Sequence, residues 1–257
     1  MLVMLPIVYA SASVLPCDLS KLELPYANQW FRQEFRDMHD QARIEAGQAV
    51  YTPRVLAMYD LLVHGVSNHL IWRCPTRRLV KFSNAHITGN HLDLGVGTGL
   101  LLDRAKLPTD SRIVLVDLNQ NCLDATARRI ARYQLKCYRR NVLEPLDLPG
   151  ERPFDSAGLN YLLHCLPGNI PSKAAVFDHV TEHLAPGGVL FGSTLLSDGI
   201  RRNAAARALM RHYNRQRIFS NSEDTLTDLQ SSLESRFAEW GVEIMGCAAL
   251  FWARVVN

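Results

Sequence analysis

The sequence predicts an α/β protein: a doubly wound, mostly parallel sheet of seven strands with an antiparallel final hairpin and a helical cover. Three observations carry this expectation. From His91 onward, short apolar runs alternate with longer amphipathic stretches, the texture of parallel strands joined by helical crossovers. A glycine-rich turn, Gly95 to Gly99, falls where the first strand should meet the first helix of that series. The chain then closes on two apolar runs, Val242 to Met245 and Ala248 to Val255, split by Gly246, which suits an antiparallel pair on the edge of a parallel sheet.

Taken in order, residues 25 to 85 read as helical. Tyr26 to Ala46 sets Trp30, Phe31 and Phe35 at helix-compatible spacing. Thr52-Pro53 reads as an N-cap and first-turn proline ahead of a stripe of Val55, Leu56, Tyr59, Leu62 and Val63. A further helix follows Pro75-Thr76 and runs through Leu79 to Ala85. Strands are expected at Leu92 to Gly95, Arg112 to Asp117, Lys136 to Arg139, Phe154 to Asn160 and Gly188 to Thr194. Helices are expected between them at Gly99 to Leu107, Asn119 to Tyr133 and Ser172 to Leu184. Ile200 to Ala238 breaks the rhythm with a basic helical stretch, an interruption near Ser220-Asn221 and a second helix from Thr225 to Phe237. The implied organisation is a loosely ordered leader over 1–24 and one domain over 25–257. That domain comprises a helical N-terminal cover (25–88), a cofactor-binding core (89–196), a substrate cover (197–240) and a closing strand pair (241–257).

Composition narrows the class. With 257 residues, 47% apolar and 21% charged, the chain is an ordinary globular protein with room for a sizeable core. A net charge of +3 is too small to argue for nucleic acid or a membrane surface, and the short basic clusters, such as Arg128 to Arg132 and Arg201-Arg202, read as solvated helix faces. Six scattered cysteines without a C-x-x-C pair suggest reduced thiols in a reducing compartment and no structural zinc. Met1 to Leu15 is mostly apolar and contains Ala10-Ser11-Ala12. It lacks the basic n-region of a secretory signal, since the first Lys is Lys21, and Pro6 interrupts a run too short for a bilayer. A cytoplasmic location is expected, without a membrane or nucleic-acid partner.

The chemistry concentrates in Asp93-Leu94-Gly95-Val96-Gly97-Thr98-Gly99. Glycines at a strand-to-helix turn let the backbone bend tightly and approach a ligand closely. A dinucleotide fingerprint would place its third glycine three residues after the second, but Leu100 fills that position. Asp93, directly before the turn, would repel a pyrophosphate and attract a ligand carrying an ammonium and a sulfonium. One strand later, Val114-Leu115-Val116-Asp117 sets a second carboxylate at a strand tip, where it can accept both hydroxyls of a ribose.

Residues His91 to Thr194 resemble the core of the class I S-adenosylmethionine-dependent methyltransferases. The resemblance rests on Asp93 to Gly99, Asp117, Asn141-Val142 after the third strand, Phe154-Asp155 leading the fourth, and Leu184-Ala185-Pro186-Gly187-Gly188 before the fifth. It implies S-adenosylmethionine as cofactor and a Rossmann-like fold. Asp93, Gly95, Gly97, Thr98 and Gly99 would hold the methionine part, and Asp117 with Leu118 the ribose and adenine edge. Asn141 stands where many relatives carry Asp, and its amide oxygen can accept the same adenine hydrogen bond. Val142 would pack on the adenine ring, and Asn160 would lie near the reacting methyl group.

Methyl transfer from a sulfonium needs positioning more than a catalytic residue. His164, in Tyr161-Leu162-Leu163-His164-Cys165 after the fourth strand, is the candidate general base, weighed against a locally packed histidine. Tyr51, Tyr59 and Trp72 are candidates for closing over cofactor or substrate, and Arg201, Arg211, His212 and Tyr213 for facing the substrate. Asn160-Tyr161-Leu162-Leu163 lacks the prolines of enzymes that methylate nucleic-acid bases or glutamine, and Asn160 takes the place of a metal-binding carboxylate, so no metal is implied. A small-molecule acceptor of specialised metabolism is expected, methylated at O, N or C, with a homodimer open as the assembly. The alternatives are a non-methylating cyclisation or rearrangement on the same cofactor and a non-catalytic binding module. A dehydrogenase is the most distant.

Overall fold

The computed structural model describes residues 67–256. The leader, the two helices expected before residue 64, and Tyr51 and Tyr59 lie outside these residues. After a π-helical turn over 67–71, the first described α-helix is α1 (Thr76–His86), followed by β1 (Asn90–Leu94), α2 (Leu100–Asp103), β2 (Arg112–Asp117), α3 (Gln120–Arg129), β3 (Gln134–Arg139) and β4 (Phe154–Asn160). A 3-10 turn (Leu163–Cys165) leads to α4 (Ile170–Lys173), α5 (Ala175–Thr181), β5 (Leu184–Leu195), α6 (Ala204–Arg215), α7 (Leu226–Glu234), β6 (Glu239–Met245) and β7 (Ala248–Arg254).

The seven strands form one sheet in the order β3-β2-β1-β4-β5-β7-β6. The first five are parallel, and β7 runs antiparallel to both β5 and β6. The chain reverses its direction of winding between β1 and β4, so the carboxyl ends of those strands open a crevice at the switch point, where sheets of this kind bind ligands. The expected class, strand count and closing hairpin are all present.

Element boundaries shift for local reasons. The helix expected from Ser172 to Leu184 is two short helices. Asn169 opens α4 with a capping box, accepting the Ser172 N–H while the Ser172 hydroxyl accepts the Asn169 N–H, and Pro171 sits in the first turn. β5 begins at Leu184, and its register with β4 slips between Phe154 and Ser156, where Pro186-Gly187-Gly188 interrupts it. The helix after the glycine turn is only Leu100–Asp103, shorter than the expected Gly99 to Leu107. Asn203 and Thr225 cap α6 and α7, accepting the Ala206 and Asp228 N–H groups.

One apolar layer, with Phe154, Phe177, Leu190 and Phe251, packs one sheet face, while Ile113, Leu115, Leu123 and Ile130 pack the other beneath α3. A third cluster gathers Trp72, Leu79, Met210 and Leu250 under α6. The five described cysteines are free thiols. Among the described residues no helix is long and apolar enough to cross a membrane.

At the strand ends opposite the crevice, a charged cluster ties β2, β3 and the entry to β4 together. Glu151, its side chain 1% exposed, pairs with Arg112 and, at 2.8 Å, with Lys136. It also accepts the Tyr138 hydroxyl at 2.7 Å, and the Arg112 guanidinium lies 4.2 Å from the centre of the Phe154 ring. Burial alone would raise the carboxyl's pKa, but the hydrogen bonds from Lys136, Tyr138 and Arg112 outweigh it and hold the group at about 2. A depressed carboxylate stabilises the fold above its unfolded pKa, and that contribution disappears as pH falls from about 4.5 toward 2. Glu151→Gln should therefore lower stability at pH 7 by about 2 kcal/mol, the range for a lost charged hydrogen bond. Denaturant titrations should show the gap to the parent protein closing below pH 4.5.

Candidate active site

The crevice is built on the turn after β1. Gly95, Gly97 and Gly99 adopt φ of 67°, 54° and 72°, a left-handed conformation that side chains resist. A Cβ at Gly95 would lie 2.6 Å from Leu162, and one at Gly99 2.8 Å from Thr126, so both glycines seat the turn against its neighbours. At Gly97 a Cβ would meet nothing within 4 Å. This middle glycine fronts open space, a cradle that a side chain would fill.

Several groups fix the turn from outside. The Thr126 hydroxyl donates to the Gly97 carbonyl at 3.2 Å, and Arg129 donates to the Thr98 carbonyl at 2.7 Å. The Gly95 N–H reaches the Val116 carbonyl at 2.9 Å. Asp117 joins the turn to the tip of β2, since its carboxylate accepts the backbone N–H groups of Asn119, Gly97 and Val96. Burial nonetheless pushes this carboxyl up to about 6, against the pull of those hydrogen bonds, and the nearby Asp93 carboxylate adds to the rise. Asp93 itself is buried at 8% exposure, with its oxygen 3.4 Å from His91 Nε2. Among the described residues no Lys or Arg forms an ion pair with Asp93 or Asp117. The two carboxylates stand close together at the glycine turn, which suits a ligand with a positive end and hydroxyls to donate.

The remaining sequence-predicted residues surround this centre to different degrees. Leu118, beside Asp117, uses its carbonyl to accept Arg139 Nε at 2.9 Å. Asn141 closes a local turn, accepting the Leu143 N–H at 3.1 Å and donating to Glu144 at 2.8 Å, which leaves its amide oxygen one lone pair. Val142 is buried, and its carbonyl lies 3.1 Å from His179 Nδ1. Asn160 ends β4 and accepts the Ser193 hydroxyl at 3.4 Å. Tyr51 lies outside the described residues.

His164 is not placed as an accessible base. Its ring is buried, Nδ1 accepts the Leu195 N–H at 3.3 Å, and the ring packs edge-on against Phe219 and Tyr161. Burial, helped by the charge of Lys173, pushes its pKa down to about 3, so the imidazole is neutral and its unprotonated nitrogen is already engaged. Trp72 is likewise a core residue, packed with Phe219. On α6, Arg211 and His212 are exposed, as is Arg201 before it, while Tyr213 turns inward to Phe219 at 4.9 Å between ring centres.

Sequence reasoning missed what supports these residues. Tyr161, directly after β4, holds φ 57° without being glycine. Its hydroxyl donates to Asn68 at 3.2 Å and its N–H to the Ser193 carbonyl at 2.7 Å, a strained residue held at the crevice. Lys173 and Asp224, both fully buried, pair at 2.6 Å, and Lys173 also donates to the Ser220 carbonyl at 2.7 Å. The pair ties the segment after α6 to the end of α4, while Asn221, which donates to the Leu195 carbonyl at 2.8 Å, ties it to the carboxyl end of β5. A lysine in an amphipathic helix gives no sequence signal of such a pairing.

Residues 92–190 match the family described as a methyltransferase domain. The demethylluteothin O-methyltransferase of Streptomyces thioluteus is 42% identical over 83% of this chain and 93% of that protein. The physcion biosynthesis cluster O-methyltransferase of Aspergillus chevalieri is 35% identical over 81% of the chain and 95% of its own length. With matches of that extent, and with the glycine turn and two carboxylates in place, the chain belongs to the class I S-adenosylmethionine-dependent methyltransferases. In fold it is similar to the N-methyltransferase NodS of Bradyrhizobium japonicum in complex with S-adenosylhomocysteine. That structure has a TM-score of 0.55 at 14% identity, covering 80% of this chain and all of the other.

The glycines are separable by experiment. Gly97→Ala should cost only the strain of a left-handed alanine, about 1 kcal/mol, yet weaken S-adenosylhomocysteine binding at least about tenfold. Gly99→Ala should lower the melting temperature further, because its Cβ also meets Thr126. Thermal unfolding and calorimetry on the two variants check this.

Proposed function

We propose that this enzyme transfers a methyl group from S-adenosylmethionine to an oxygen of a small molecule of specialised metabolism. One observation carries the cofactor reading: the Asp93 and Asp117 carboxylates, near enough that one raises the pKa of the other and without a Lys or Arg ion pair among the described residues, stand beside a glycine turn whose middle member, Gly97, fronts open space. The acceptor class is supported by the relatives named above, two O-methyltransferases that match this chain over most of their length.

In this reading Asp93 accepts hydrogen bonds from the ammonium of the methionine part, and Gly95, Gly97, Thr98 and Gly99 let the backbone come close to it. Asp117 accepts from a ribose hydroxyl with the lone pair its three backbone donors leave free. Leu118, Asn141 and Val142 border the adenine, and Asn160 lies by the transferred group. When bound, S-adenosylmethionine supplies a methyl group on a positively charged sulfur, activated for in-line displacement by an acceptor lone pair. The chain's own work is to bind, orient and exclude water, with residues 197–240 as the substrate cover.

His164 serves here as a structural post, its Nδ1 tied to Leu195, and not as a general base. His164→Asn, which keeps an acceptor near the Leu195 N–H, should lower thermal stability while kcat stays within about tenfold; loss of a true base costs about 10²–10⁴-fold. Transfer itself is checked by incubating the enzyme with methyl-labelled cofactor and paired hydroxylated and aminated aromatic acceptors. Label should appear on hydroxyl oxygens with one S-adenosylhomocysteine formed per methyl. Label on amines alone would overturn the oxygen assignment, and cofactor binding without turnover on any acceptor would overturn the transfer.

A further inference from the structure

Two residues before Asp93 on the same strand stands His91, 0% exposed, a histidine that neither the fold nor the proposed chemistry has used. Successive side chains of a strand alternate in direction, so positions 91 and 93 share one face of β1. His91 Nε2 lies 3.4 Å from the Asp93 carboxylate oxygen, and His91 Nδ1 lies 2.8 Å from the Ser156 hydroxyl on the neighbouring strand β4. A carboxylate only accepts, so the proton between this pair sits on Nε2, whatever Ser156 does on the far side. Ser156 is held in turn by the Thr88 N–H at 3.0 Å, while the Thr88 hydroxyl donates to the Asn90 carbonyl at 3.2 Å.

The room for this arrangement comes from Gly158, which pairs with Asp93 across the β1–β4 register. A Cβ there would sit 2.7 Å from the Asp93 oxygen and 3.2 Å from the His91 ring. Gly158 has no positive φ to explain it; what requires a glycine is the space taken by the histidine–aspartate pair. The ring is also fixed in plane. It stacks on Phe191 at 5.7 Å between centres, Phe191 stacks on His86 at 5.8 Å, and His86 on Trp252 at 5.8 Å. His91 thus has a fixed plane and a fixed proton, and its one free direction points at Asp93.

We propose that His91 is a positioning residue for cofactor binding: with Ser156 behind it and Gly158 beside it, it aims the Asp93 carboxylate at the ammonium of the methionine part. This rests on the cofactor reading of Asp93 given above. The chain Thr88–Ser156–His91–Asp93 runs from the amino end of β1 toward its carboxyl end. It is a buried support of the kind that holds a binding group in one orientation.

Two ligands separate this role from a merely structural one. S-adenosylhomocysteine carries the amino-acid end, and 5′-methylthioadenosine has the same nucleoside without it. His91→Phe keeps the ring stack on Phe191 and removes the donor. It should weaken S-adenosylhomocysteine about tenfold, the loss of a hydrogen bond to a charged group, and leave 5′-methylthioadenosine unchanged. His91→Gln, which restores an N–H toward Asp93, should recover most of the loss. In an Asp93→Ala background His91→Phe should have no further effect. Should His91→Phe fail to fold, Ser156→Ala must show the same ligand selectivity with a smaller loss. Equal weakening of both ligands, or no change for S-adenosylhomocysteine, overturns the proposal. Failure of the parent protein to bind either ligand would overturn the cofactor reading itself.

Discussion

The Asp117 carboxylate is the point on which the site hangs. It sits at the tip of β2 and accepts the N–H groups of Asn119, Gly97 and Val96, so one side chain satisfies donors on both its own strand's exit and the turn after β1. Three left-handed glycines would otherwise leave that turn free to wander, and backbone N–H groups in a crevice need acceptors. The same carboxylate is held in a place that disfavours its charge, raised to about 6 with Asp93 close by. A carboxylate that shapes the turn at some cost to its own charge is where stability commonly yields to function.

Everything else keeps that arrangement still. The Glu151 cluster pins the opposite ends of β2, β3 and β4. The parallel register then carries that fixed geometry along the strands to the crevice. On the far side, the buried Lys173–Asp224 pair fastens the segment after α6 to α4, and Asn221 fastens it to the end of β5. Breaking such a pair by removing one partner strands a buried charge, so the bolt is fixed rather than adjustable. His164 completes the same wall: its Nδ1 takes the Leu195 N–H and its carbonyl takes the Ser220 N–H at 2.8 Å.

Much of this was legible in the sequence where the physics is local. Apolar periodicity marked the seven strands, glycine spacing marked the turn, and Asp93 and Asp117 declared themselves by standing at strand ends beside it. Legibility failed where a role depends on what lies across space. His164 looks like a base because histidines titrate in a useful range, and only its burial and the Leu195 N–H show otherwise. Gly158 and His91 read as ordinary strand residues until the β1–β4 register sets them side by side. Lys173 reads as a solvated helix residue until Asp224, fifty-one positions on, is brought against it. The helix expected over Ser172 to Leu184 was misjudged for a nearer reason, since Pro171 with the Asn169–Ser172 capping box closes a short first helix.

In the proposed reading, Asp117 and Asp93 form an anionic site whose charge the cofactor offsets. Calorimetry of S-adenosylmethionine binding, repeated in buffers of different ionisation enthalpy, counts the protons exchanged on binding. Burial raises Asp117 to about 6. Hydroxyl donors and a positive ligand should return it to its ionised form. Binding at pH 6 should therefore release about half a proton per molecule, and binding at pH 8 none, with affinity weakening as pH falls below 6. Binding that releases no proton between pH 5.5 and 7, or that takes one up, would contradict the account.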